Sequence, residues 1–515
     1  MNKACYWIKM KTSKGLESEI AQKYYIHGIC FCISLASLAL MLLYSGSRSL
    51  WADDIATISI IGSGQGLGQI FSNILNDSTP ALFYVLAAVW IRVAPYGTFW
   101  LILPSVLFTA LGMYVCGMVA MKIRGSRAAV FTTLFASASW WLIIVGAFGF
   151  RVYGLLFFIT SMYIFLYAHR EHSMTSYKDI IIFGVVGALL CHSHYFGIFI
   201  VASMFLFEVG LLIIRKRQWG HFISYIVCGI LFVPYFIPAL IIQFRRSDTL
   251  TFWASSPSIE SLARLFYGLV SQSNFLAVMF VTGVVFSTIL TVSAVVRKHI
   301  NICWEKSLFC IAQVFIIFFT VGVVYAYSRY INPSGSVFVE RFFIPVMPSL
   351  FFLSGIGADF TFDLLFYKLE KRMKQGIFLI YFCVTAIFFG GKAIMVINGW
   401  ANGPGLGPWQ PIQQVSYWIY SQEDAHESDT LIVMTGLMPG PGLSYYVTQN
   451  GRRPPLNQGM LTMENYYRWR TVYFFHAHGG TPQHQINILQ NYFERIHTHS
   501  QWHVDVHVYR RLGSK

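Results

Sequence analysis

The sequence predicts a polytopic α-helical membrane protein with a small C-terminal α/β domain. Of its 515 residues, 56% are hydrophobic and 17% are aromatic, which is more apolar surface than a soluble chain of this size needs. Apolar runs of about 20 residues, each long enough to cross a bilayer as a helix, recur along most of the chain. The formal net charge is +15, and the basic residues lie in short loops between the apolar runs. This distribution follows the positive-inside rule and argues against nucleic-acid binding, which needs one basic face.

The loop charges predict about eleven crossings, with the N-terminus in the cytoplasm and the C-terminus outside. The first run, 25–44, follows a long Lys-containing segment and is expected to stay as an anchor rather than to be cleaved. Segment 81–95 is short and contains Arg92, so we expect a juxtamembrane or re-entrant helix on the outer side. If it crossed, every later loop would change side. The other spans are expected near 98–121, 128–147, 152–168, 179–193, 195–214, 221–243, 273–296, 307–327, 342–360 and 376–396.

The composition changes after residue 396, which divides the chain into two expected domains. Residues 1–396 form the transmembrane domain, with large outer loops at 47–97 and 244–272. Residues 397–515 begin with the linker ANGPGLGP and are expected to form the α/β domain outside the membrane. In this domain TLIVMTG, TVYFFHAH and WHVDVHVYR predict strands, and PQHQINILQNYFERI predicts a helix between the last two.

Cysteine and histidine usage gives little support for a disulfide or metal framework. All nine cysteines lie at or before Cys383, so the C-terminal domain has none to pair. Two histidine pairs, His497/His499 and His503/His507, could suggest a metal site, but the last pair alternates on a predicted strand with no cysteine and few acids nearby. The sequence identifies no cofactor and leaves a divalent cation open.

Residues 50–80, LWADDIATISIIGSGQGLGQIFSNILNDSTP, carry the strongest functional signal. Asp53 and Asp54 stand just after the first apolar run, and a third acid, Asp77, follows. Only 11% of the residues are charged, and a carboxylate pair beside a membrane segment is costly unless it has a task. A helix cap is the simpler explanation, since Asp is common at a helix start.

Polar residues that are uncommon in membrane segments gather at the same predicted face as the acid pair. Together they indicate one polar cavity on the outer side. For any single basic residue, snorkelling to the interface or contact with a lipid phosphate is the simpler explanation. The residues are Arg151, Tyr153, His192, His194, Arg245, Arg246, Arg329, Glu340 and Arg341.

Six segments in order resemble patterns of the polyprenyl-phosphate-sugar-dependent glycosyltransferases of the GT-C class, which includes protein O-mannosyltransferases and bacterial aminoarabinose transferases acting on lipid A. LWADDIAT resembles L-W-x-D-E-x-x-T, and DSTPALFYVLAAVW resembles D-x-x-P-P-L-Y-Y. FRVYGLLFF resembles an R-x-Y element, LLCHSHYFGIF a T-H-Y-x-G element, and ERFFIPVMPSL an R-Y/F-x-x-x-x-x-P element. The tract from Asp248 through FWASSP resembles the second large outer loop. The resemblance covers about residues 45–360.

The sequence also departs from these patterns in the first outer loop. Asp54 stands where the pattern has Glu, and Ala81 replaces the second proline of the P-P-L-Y-Y segment. No His or Lys stands immediately before Pro80, which leaves the lipid-phosphate contact from this segment without a residue.

The resemblance implies an inverting glycosyltransferase of the bacterial inner membrane with a periplasmic active site. Its donor would be an undecaprenyl-phosphate sugar, and its acceptor a hydroxyl of a cell-envelope glycan such as lipopolysaccharide O-antigen. Asp53 matches the catalytic base, and Asp54 an acid that orients the acceptor. Arginine forks match phosphate geometry, so the donor phosphate is assigned first to Arg245 and Arg246, then to Arg151 and Arg341. The substrate-binding candidates are Asp77, Tyr84, Tyr153, His194, Tyr195, Trp253 and Glu340.

Three other functions stay open. A transferase of the same class could act on protein or lipid A, so the expected partners are a polyprenyl-phosphate-linked sugar, a glycan, lipid or protein acceptor, and the lipid bilayer. A flippase or transporter for a lipid-linked glycan would need a charged path through the bilayer midplane or an inverted repeat, and the sequence favours neither. A scaffold without activity is the third alternative.

Overall fold

Helices make up most of the chain as far as Asn402 in the computed structural model, which describes residues 2–45, 50, 52–62, 66–77, 79–95, 97–169, 176–213, 220–245, 254–297, 301–402, 412–435, 460–477, 483–501 and 504–513. The helices are α1 Asn2–Ser45, α2 Ala52–Ile61, α3 Leu67–Leu75, α4 Ala81–Val93, α5 Thr98–Ile123, α6 Ser126–Ser137, α7 Trp140–Leu142, α8 Tyr153–His169, α9 Tyr177–Ser193, α10 Tyr195–Ile213, α11 Gly220–Arg245, α12 Ile259–Leu269, α13 Asn274–Arg297, α14 Asn301–Ala326, α15 Met347–Phe366 and α16 Lys371–Asn402. Short π-helical segments follow α7 and α14 at Ile143–Ala147 and Tyr327–Ile331, and a 3₁₀ helix, Glu340–Val346, leads into α15.

Each apolar run that was expected to cross the membrane coincides with one of these helices or, for 128–147, with the bent pair α6 and α7. Within the described part of the chain, six helices are long and apolar enough to span a bilayer, or up to eight if each of two bent pairs forms one span. The protein is therefore a multi-pass helical membrane protein, as predicted. Helix α4 has 13 residues, which is short for a crossing. The number of crossings and the side on which each loop lies stay predictions.

The most buried long helix is α15, which lies at the centre of the bundle. Nearly all residues of the apolar part of the span from Glu340 to Phe366 are buried. The helix packs against α13, α6, α14 and α5. It lies close to α13 at Gly283, where an added Cβ would lie 1.9 Å from the Leu353 carbonyl oxygen. Only glycine lets the two backbones touch there, so this contact fixes the height of α15 relative to α13.

A cluster of ion pairs joins the C-terminal part of α15 to the turn between α5 and α6. The Nε atoms of Arg124 and Arg127 lie 2.7 and 2.8 Å from the two carboxylate oxygens of Asp359. Both guanidinium groups also pair with Asp363, one turn further along the helix. The Asp359 side chain is only 5% exposed, against 39% for Asp363. The cluster therefore centres on Asp359.

The described residues from Ile412 onward contain two α-helices and a four-stranded sheet, and their division from the bundle as a domain stays a prediction. The helices are α17 Ile412–Ser421 and α18 Gln483–Tyr492, and the strands are β1 Thr430–Thr435, β2 Thr471–Ala477, β3 Phe493–Gln501 and β4 Val504–Arg511. The strand order is β1-β2-β4-β3; β1 runs parallel to β2, and the other two pairings are antiparallel. Val472 and Phe474 of β2 pack on Leu489 of α18. Tyr473 and Phe475, which alternate with them along the strand, belong to the core on the opposite face.

Strand β3 corrects one expectation from the sequence. The segment PQHQINILQNYFERI was expected to be helical throughout, but the helix ends at Tyr492 and a strand begins at Phe493. Phe493 pairs with Arg511, and His497 pairs with Val508. The strand lies at a sheet edge and its sequence, FERIHTHSQ, is mostly polar, so it lacks the apolar alternation that marks a half-buried strand. Pairing with β4 decides its conformation instead.

Candidate active site

The two adjacent acids lie in the first turn of α2, where the positive end of the helix dipole favours carboxylates. Their side chains have different surroundings. Asp54 is fully buried, and its Oδ1 accepts a hydrogen bond of 2.8 Å from the backbone N–H of Phe150. Asp53 is 29% exposed at its side chain. Asp54 thus fixes the turn before α8, while Asp53 is accessible.

Asp53 forms an ion pair with Arg341, which lies in the 3₁₀ helix before α15. The distance from Arg341 Nη2 to Asp53 Oδ2 is 3.0 Å, and the arginine side chain is 15% exposed. The Arg341 guanidinium carbon lies 5.9 Å from the centre of the Phe342 ring. Two segments almost 300 positions apart in the sequence therefore meet in one partly buried contact.

Arg151 brings a second cation to the same acid. This residue lies in the turn between the π-helical segment and α8, and its Nη1 donates to the carbonyl oxygen of Asp53 at 3.2 Å and to Thr57 Oγ1 at 3.0 Å. Thr57 in turn donates to the Asp53 carbonyl at 3.1 Å. Because these contacts go to the Asp53 backbone, they hold the helix start and leave the carboxylate to Arg341.

The surroundings of Arg151 keep it charged although it is half-buried. Burial alone would lower the pKa of the guanidinium. Tyr84, Asp53, Tyr153 and Asp77 act in the opposite direction, and the pKa of Arg151 is raised overall. The site therefore contains two fixed cations, Arg151 and Arg341.

His194 lies between α9 and α10 and faces these two cations. Burial, followed by the positive charges of Arg151 and Arg341, lowers the pKa of His194 to about 3. Its Nδ1 accepts a hydrogen bond of 3.1 Å from the Phe196 backbone N–H, so in the neutral ring the proton is assigned to Nε2. The ring lies 5.1 Å from that of Phe342. His194 is thus a neutral hydrogen-bond donor at neutral pH.

A tight turn holds His194 in this position. The Gly197 N–H donates to the His194 carbonyl at 2.7 Å. A Cβ on Gly197 would lie 2.3 Å from the Leu190 carbonyl oxygen, so the turn needs glycine at this position. This accounts physically for the glycine in the segment LLCHSHYFGIF.

Asp77 and Tyr84 form a polar pair beside Arg151. The Tyr84 hydroxyl donates to Asp77 Oδ2 at 2.5 Å, and the Thr79 N–H donates to the same oxygen at 3.0 Å. Tyr84 is fully buried in α4. Both groups act electrostatically on Arg151, so the structure places them at the edge of the same site.

Tyr153 and Tyr195, both predicted to bind substrate, have different positions. The Tyr153 hydroxyl is within hydrogen-bonding reach of Arg341, and its ring lies 6.2 Å from that of His194. Tyr195 packs towards α11, with its ring 6.0 Å from that of Phe236. Tyr153 therefore belongs to the cluster around Arg341, and Tyr195 lies at its side.

Glu340 precedes Arg341 in the sequence but faces another helix. Its carboxylate lies 3.8 Å from where a Cβ on Gly268 of α12 would stand. Arg264, also on α12, acts on it electrostatically. The structure therefore places Glu340 beside α12 rather than beside Asp53.

Three other predicted residues lie outside what the structure describes. Arg246 and Trp253 fall outside the described residues, and Arg245 ends α11 with a side chain that is likewise not described. Their assignments to the donor phosphate and to substrate stay predictions. Among the described residues, no group of three His, Cys, Asp or Glu side chains could hold a metal ion.

Three contacts of the site were missed by reasoning from the sequence. Thr57 and Phe342 stand inside the quoted segments LWADDIAT and ERFFIPVMPSL, so the threonine and aromatic positions of those patterns could have identified them. The N–H of Phe150 carries no sequence signal, because it is a backbone group whose position depends on the turn before α8.

The arrangement has the parts that transfer of a group from a phosphate requires. An accessible carboxylate can accept a proton, two arginines can stabilise a departing phosphate, and a neutral imidazole can donate a hydrogen bond. All of them come from the ends of α2, α8, α9 and the 3₁₀ helix before α15, at one end of the bundle.

The chain is similar in structure to several solved proteins. The crystal structure of ArnT from Cupriavidus metallidurans in the apo state matches with a TM-score of 0.57 and 13% sequence identity, covering 95% of this chain and 98% of that chain. The structure of the same protein bound to undecaprenyl phosphate matches with a TM-score of 0.56 and 14% identity, covering 93% and 97%. The archaeal oligosaccharyltransferase AglB from Archaeoglobus fulgidus, in complex with an inhibitory peptide and a dolichol-phosphate, has a TM-score of 0.49 and 11% identity, covering 88% of this chain and 69% of that chain.

No protein-family model and no curated protein matches the sequence. The likeness to ArnT extends over almost the whole chain, well beyond the segments with recognisable sequence patterns. The chain therefore has the GT-C fold, as the six segments predicted.

Proposed function

We propose that this protein is an inverting glycosyltransferase that moves a sugar from an undecaprenyl-phosphate donor to a hydroxyl of a cell-envelope glycan. Lipopolysaccharide O-antigen is the acceptor that we favour, on the periplasmic side of the bacterial inner membrane. The observation that carries the proposal is the partly exposed carboxylate of Asp53, 3.0 Å from Arg341, at one end of a GT-C bundle.

In the proposed reaction, the acceptor oxygen attacks the anomeric carbon as Asp53 takes the hydroxyl proton. The bond from the anomeric carbon to the phosphate oxygen breaks, and its electron pair leaves with undecaprenyl phosphate. Inversion follows because the acceptor and the leaving group lie on opposite faces of the sugar ring. Asp53 is the best placed acid for this role, since Asp54 is buried against the Phe150 N–H.

The leaving phosphate gains negative charge, which a guanidinium fork stabilises well. Arg341 and Arg151 are the arginines nearest to Asp53 in the described residues. Support for a polyprenyl-phosphate donor comes from ArnT, whose structure has been solved with undecaprenyl phosphate bound. In this proposal, the neutral His194 ring donates its Nε2–H to the phosphate or to a sugar oxygen, which is supported by the hydrogen bond that its Nδ1 accepts from Phe196.

The second candidate function keeps the donor and changes the acceptor to lipid A or a protein. Support for it is the fold shared with ArnT and the sequence resemblance to aminoarabinose and mannosyl transferases. The catalytic arrangement is the same in both cases, so the acceptor has to be found by experiment.

Mass spectrometry of the envelope tests both candidates at once. Cells with and without the gene are compared, and we expect one glycan fraction to lose a fixed mass that equals one sugar residue. The lost mass identifies the sugar, and the fraction that changes identifies the acceptor. A copy with Asp53→Asn provides the control and is expected not to restore the mass. An envelope that is identical with and without the gene would contradict the proposed function.

A further inference from the structure

The ion pair between Asp53 and Arg341 puts the proposed base and the proposed phosphate ligand in contact with each other. Asp53 Oδ2 lies 3.0 Å from Arg341 Nη2, and both side chains are mostly buried, at 29% and 15% exposure. A carboxylate oxygen that is held by a guanidinium is not available to accept a hydrogen bond from an acceptor hydroxyl. A guanidinium that holds a carboxylate is also occupied at the position that an incoming phosphate needs.

We infer that Arg341 exchanges partners during each reaction cycle: the donor phosphate displaces Asp53 from Arg341, so the base becomes active only after the donor has bound. The inference rests on the proposed function and adds an order of binding to it, donor first and acceptor second. It also makes Arg341 the group that couples donor binding to the activity of the base.

The surroundings allow Asp53 to move while the rest of the site stays in place. The carbonyl of Asp53 is held by Arg151 Nη1 and by the Thr57 hydroxyl, so the backbone is fixed and the exchange needs only rotation of a short side chain. Asp54 is held by the Phe150 N–H and is not expected to take over the ion pair.

Arg341 itself is held more firmly than Asp53. Its guanidinium lies near the ring of Phe342 and within hydrogen-bonding reach of the Tyr153 hydroxyl. Its 15% exposure is about half that of the acid. The arginine is therefore the fixed member of the pair, and the carboxylate is the one that leaves.

Displacement also frees Asp53 for the acceptor. A carboxylate oxygen that has left Arg341 can accept the hydrogen bond of the acceptor hydroxyl. The acceptor oxygen then forms its bond to the anomeric carbon, the bond to the phosphate oxygen breaks with its electron pair, and the proton passes to Asp53. After undecaprenyl phosphate leaves, Asp53 gives the proton to water and pairs with Arg341 again.

Binding of undecaprenyl phosphate to the purified full-length protein tests the exchange directly. If Asp53 competes with phosphate for Arg341, Asp53→Asn removes the competitor and is expected to bind the lipid about 5–10-fold more tightly than the wild type, the scale of a partly buried ion pair. Asp77→Asn is the matched control, because it removes an equal charge from an acid held by Tyr84 and Thr79. We expect a clearly smaller gain from it.

Two results of the binding measurement would overturn the exchange. One is an affinity of Asp53→Asn equal to or below that of the wild type. The other is an equal gain in Asp53→Asn and Asp77→Asn, which would mean that the charge of the site matters and the contact with Arg341 does not.

Inhibition kinetics test the order of binding independently. With donor first and undecaprenyl phosphate released last, added undecaprenyl phosphate is expected to compete with the donor and to inhibit non-competitively against the acceptor. The exchange would be refuted if undecaprenyl phosphate competed with the acceptor, or if the acceptor bound equally tightly without donor. Sugar transfer in the same experiment would still establish the proposed function. A wild-type protein that neither binds undecaprenyl phosphate nor transfers sugar would refute both.

Discussion

At the scale of single residues, neighbours in the sequence have different tasks because their surroundings differ. Asp53 and Asp54 begin the same helix, yet one faces a cation and is partly exposed, while the other is fully buried on a backbone N–H. Asp54, which is buried and hydrogen-bonded to the backbone, stabilises a turn. Asp53, which is partly exposed, can contact a substrate.

Replacement of Asp53 by Asn tests its role as the base. Asn has nearly the same shape but is a much weaker base, so we expect Asp53→Asn to fold and to bind donor while transfer falls by about 10²-fold or more. The measurement is turnover by purified protein with lipid-linked sugar and acceptor, alongside donor binding.

The matched variant is Asp54→Asn, which keeps an oxygen that can accept the Phe150 N–H. We expect it to lose less activity than Asp53→Asn. A dead Asp54→Asn beside an active Asp53→Asn would show that Asp54 is the base.

The depressed pKa of His194 gives a prediction about stability and pH. The folded protein keeps this ring neutral down to about pH 3, whereas the unfolded chain takes up the proton below the ordinary value of 6.5. As the pH falls through that window, the unfolded state binds more protons and the folded state loses stability, by up to about 1.4 kcal/mol per pH unit.

Thermal unfolding of the detergent-solubilised protein measures this effect. The melting temperature of the wild type is expected to fall between neutral pH and about pH 5 more than that of His194→Gln, which cannot titrate. An equal fall in both proteins would show that His194 does not take part.

At the scale of elements, α15 is held at several points along its length. Arg341 lies just before its N-terminus, Gly283 of α13 touches its middle, and Asp359 anchors its C-terminal part to the α5–α6 turn. The helix therefore joins two clusters of charge, of which only the one at Arg341 contains the proposed site.

Substitutions in the Asp359 cluster are expected to affect stability rather than catalysis. Asp359 is 5% exposed and pairs with Arg124 and Arg127, so Asp359→Asn leaves two arginines with half their partners and is expected to cost about 3 kcal/mol. Asp363→Asn is the control at the more exposed position, where we expect about 1 kcal/mol or less.

Thermal unfolding and turnover per folded molecule separate the two effects. Similar melting temperatures for the two variants would contradict the central place of Asp359. A loss of turnover in correctly folded Asp359→Asn would show that the cluster acts on the site.

The elements that could be predicted are those with a strong local signal. The apolar runs predicted the helices, because each run is long and the membrane allows little else. Strand β3 was missed, since an edge strand with the sequence FERIHTHSQ has no apolar alternation. In the site, Arg341 and Arg151 were predicted, but their contact with Asp53 depends on the packing of distant segments, which no local pattern encodes.

At the scale of the whole molecule, the ion pairs bear on the predicted topology. Segment 122–127, KIRGSR, has three positive charges, but two of them, on Arg124 and Arg127, are paired with Asp359 and Asp363. The orientation therefore depends more on the other basic loops than the sequence alone indicates.

The orientation can be measured with a reporter that is active only outside the cytoplasm. Fused after Lys515, it is expected to be active, because the loop charges place the C-terminus outside. A stable but silent fusion would contradict this. A cysteine introduced within 81–95 is expected to react with an impermeant reagent from the outside, and labelling from the cytoplasm would restore a crossing by α4.

The fixed position of α15 is expected to make the activity of the protein depend on the thickness of the bilayer. Along the chain, Arg341 and Asp359 are separated by roughly 25–30 Å, close to the thickness of the hydrocarbon layer. The close contact at Gly283 keeps α15 from sliding along α13, so Arg341 stays at a fixed height in the bundle. Under the proposed function, the donor phosphate lies at the depth of the headgroups and reaches Arg341 best where the membrane has the matching thickness. We therefore expect turnover in vesicles to pass through an optimum as the acyl chains are lengthened, and a flat dependence would show that the donor finds the site regardless of depth.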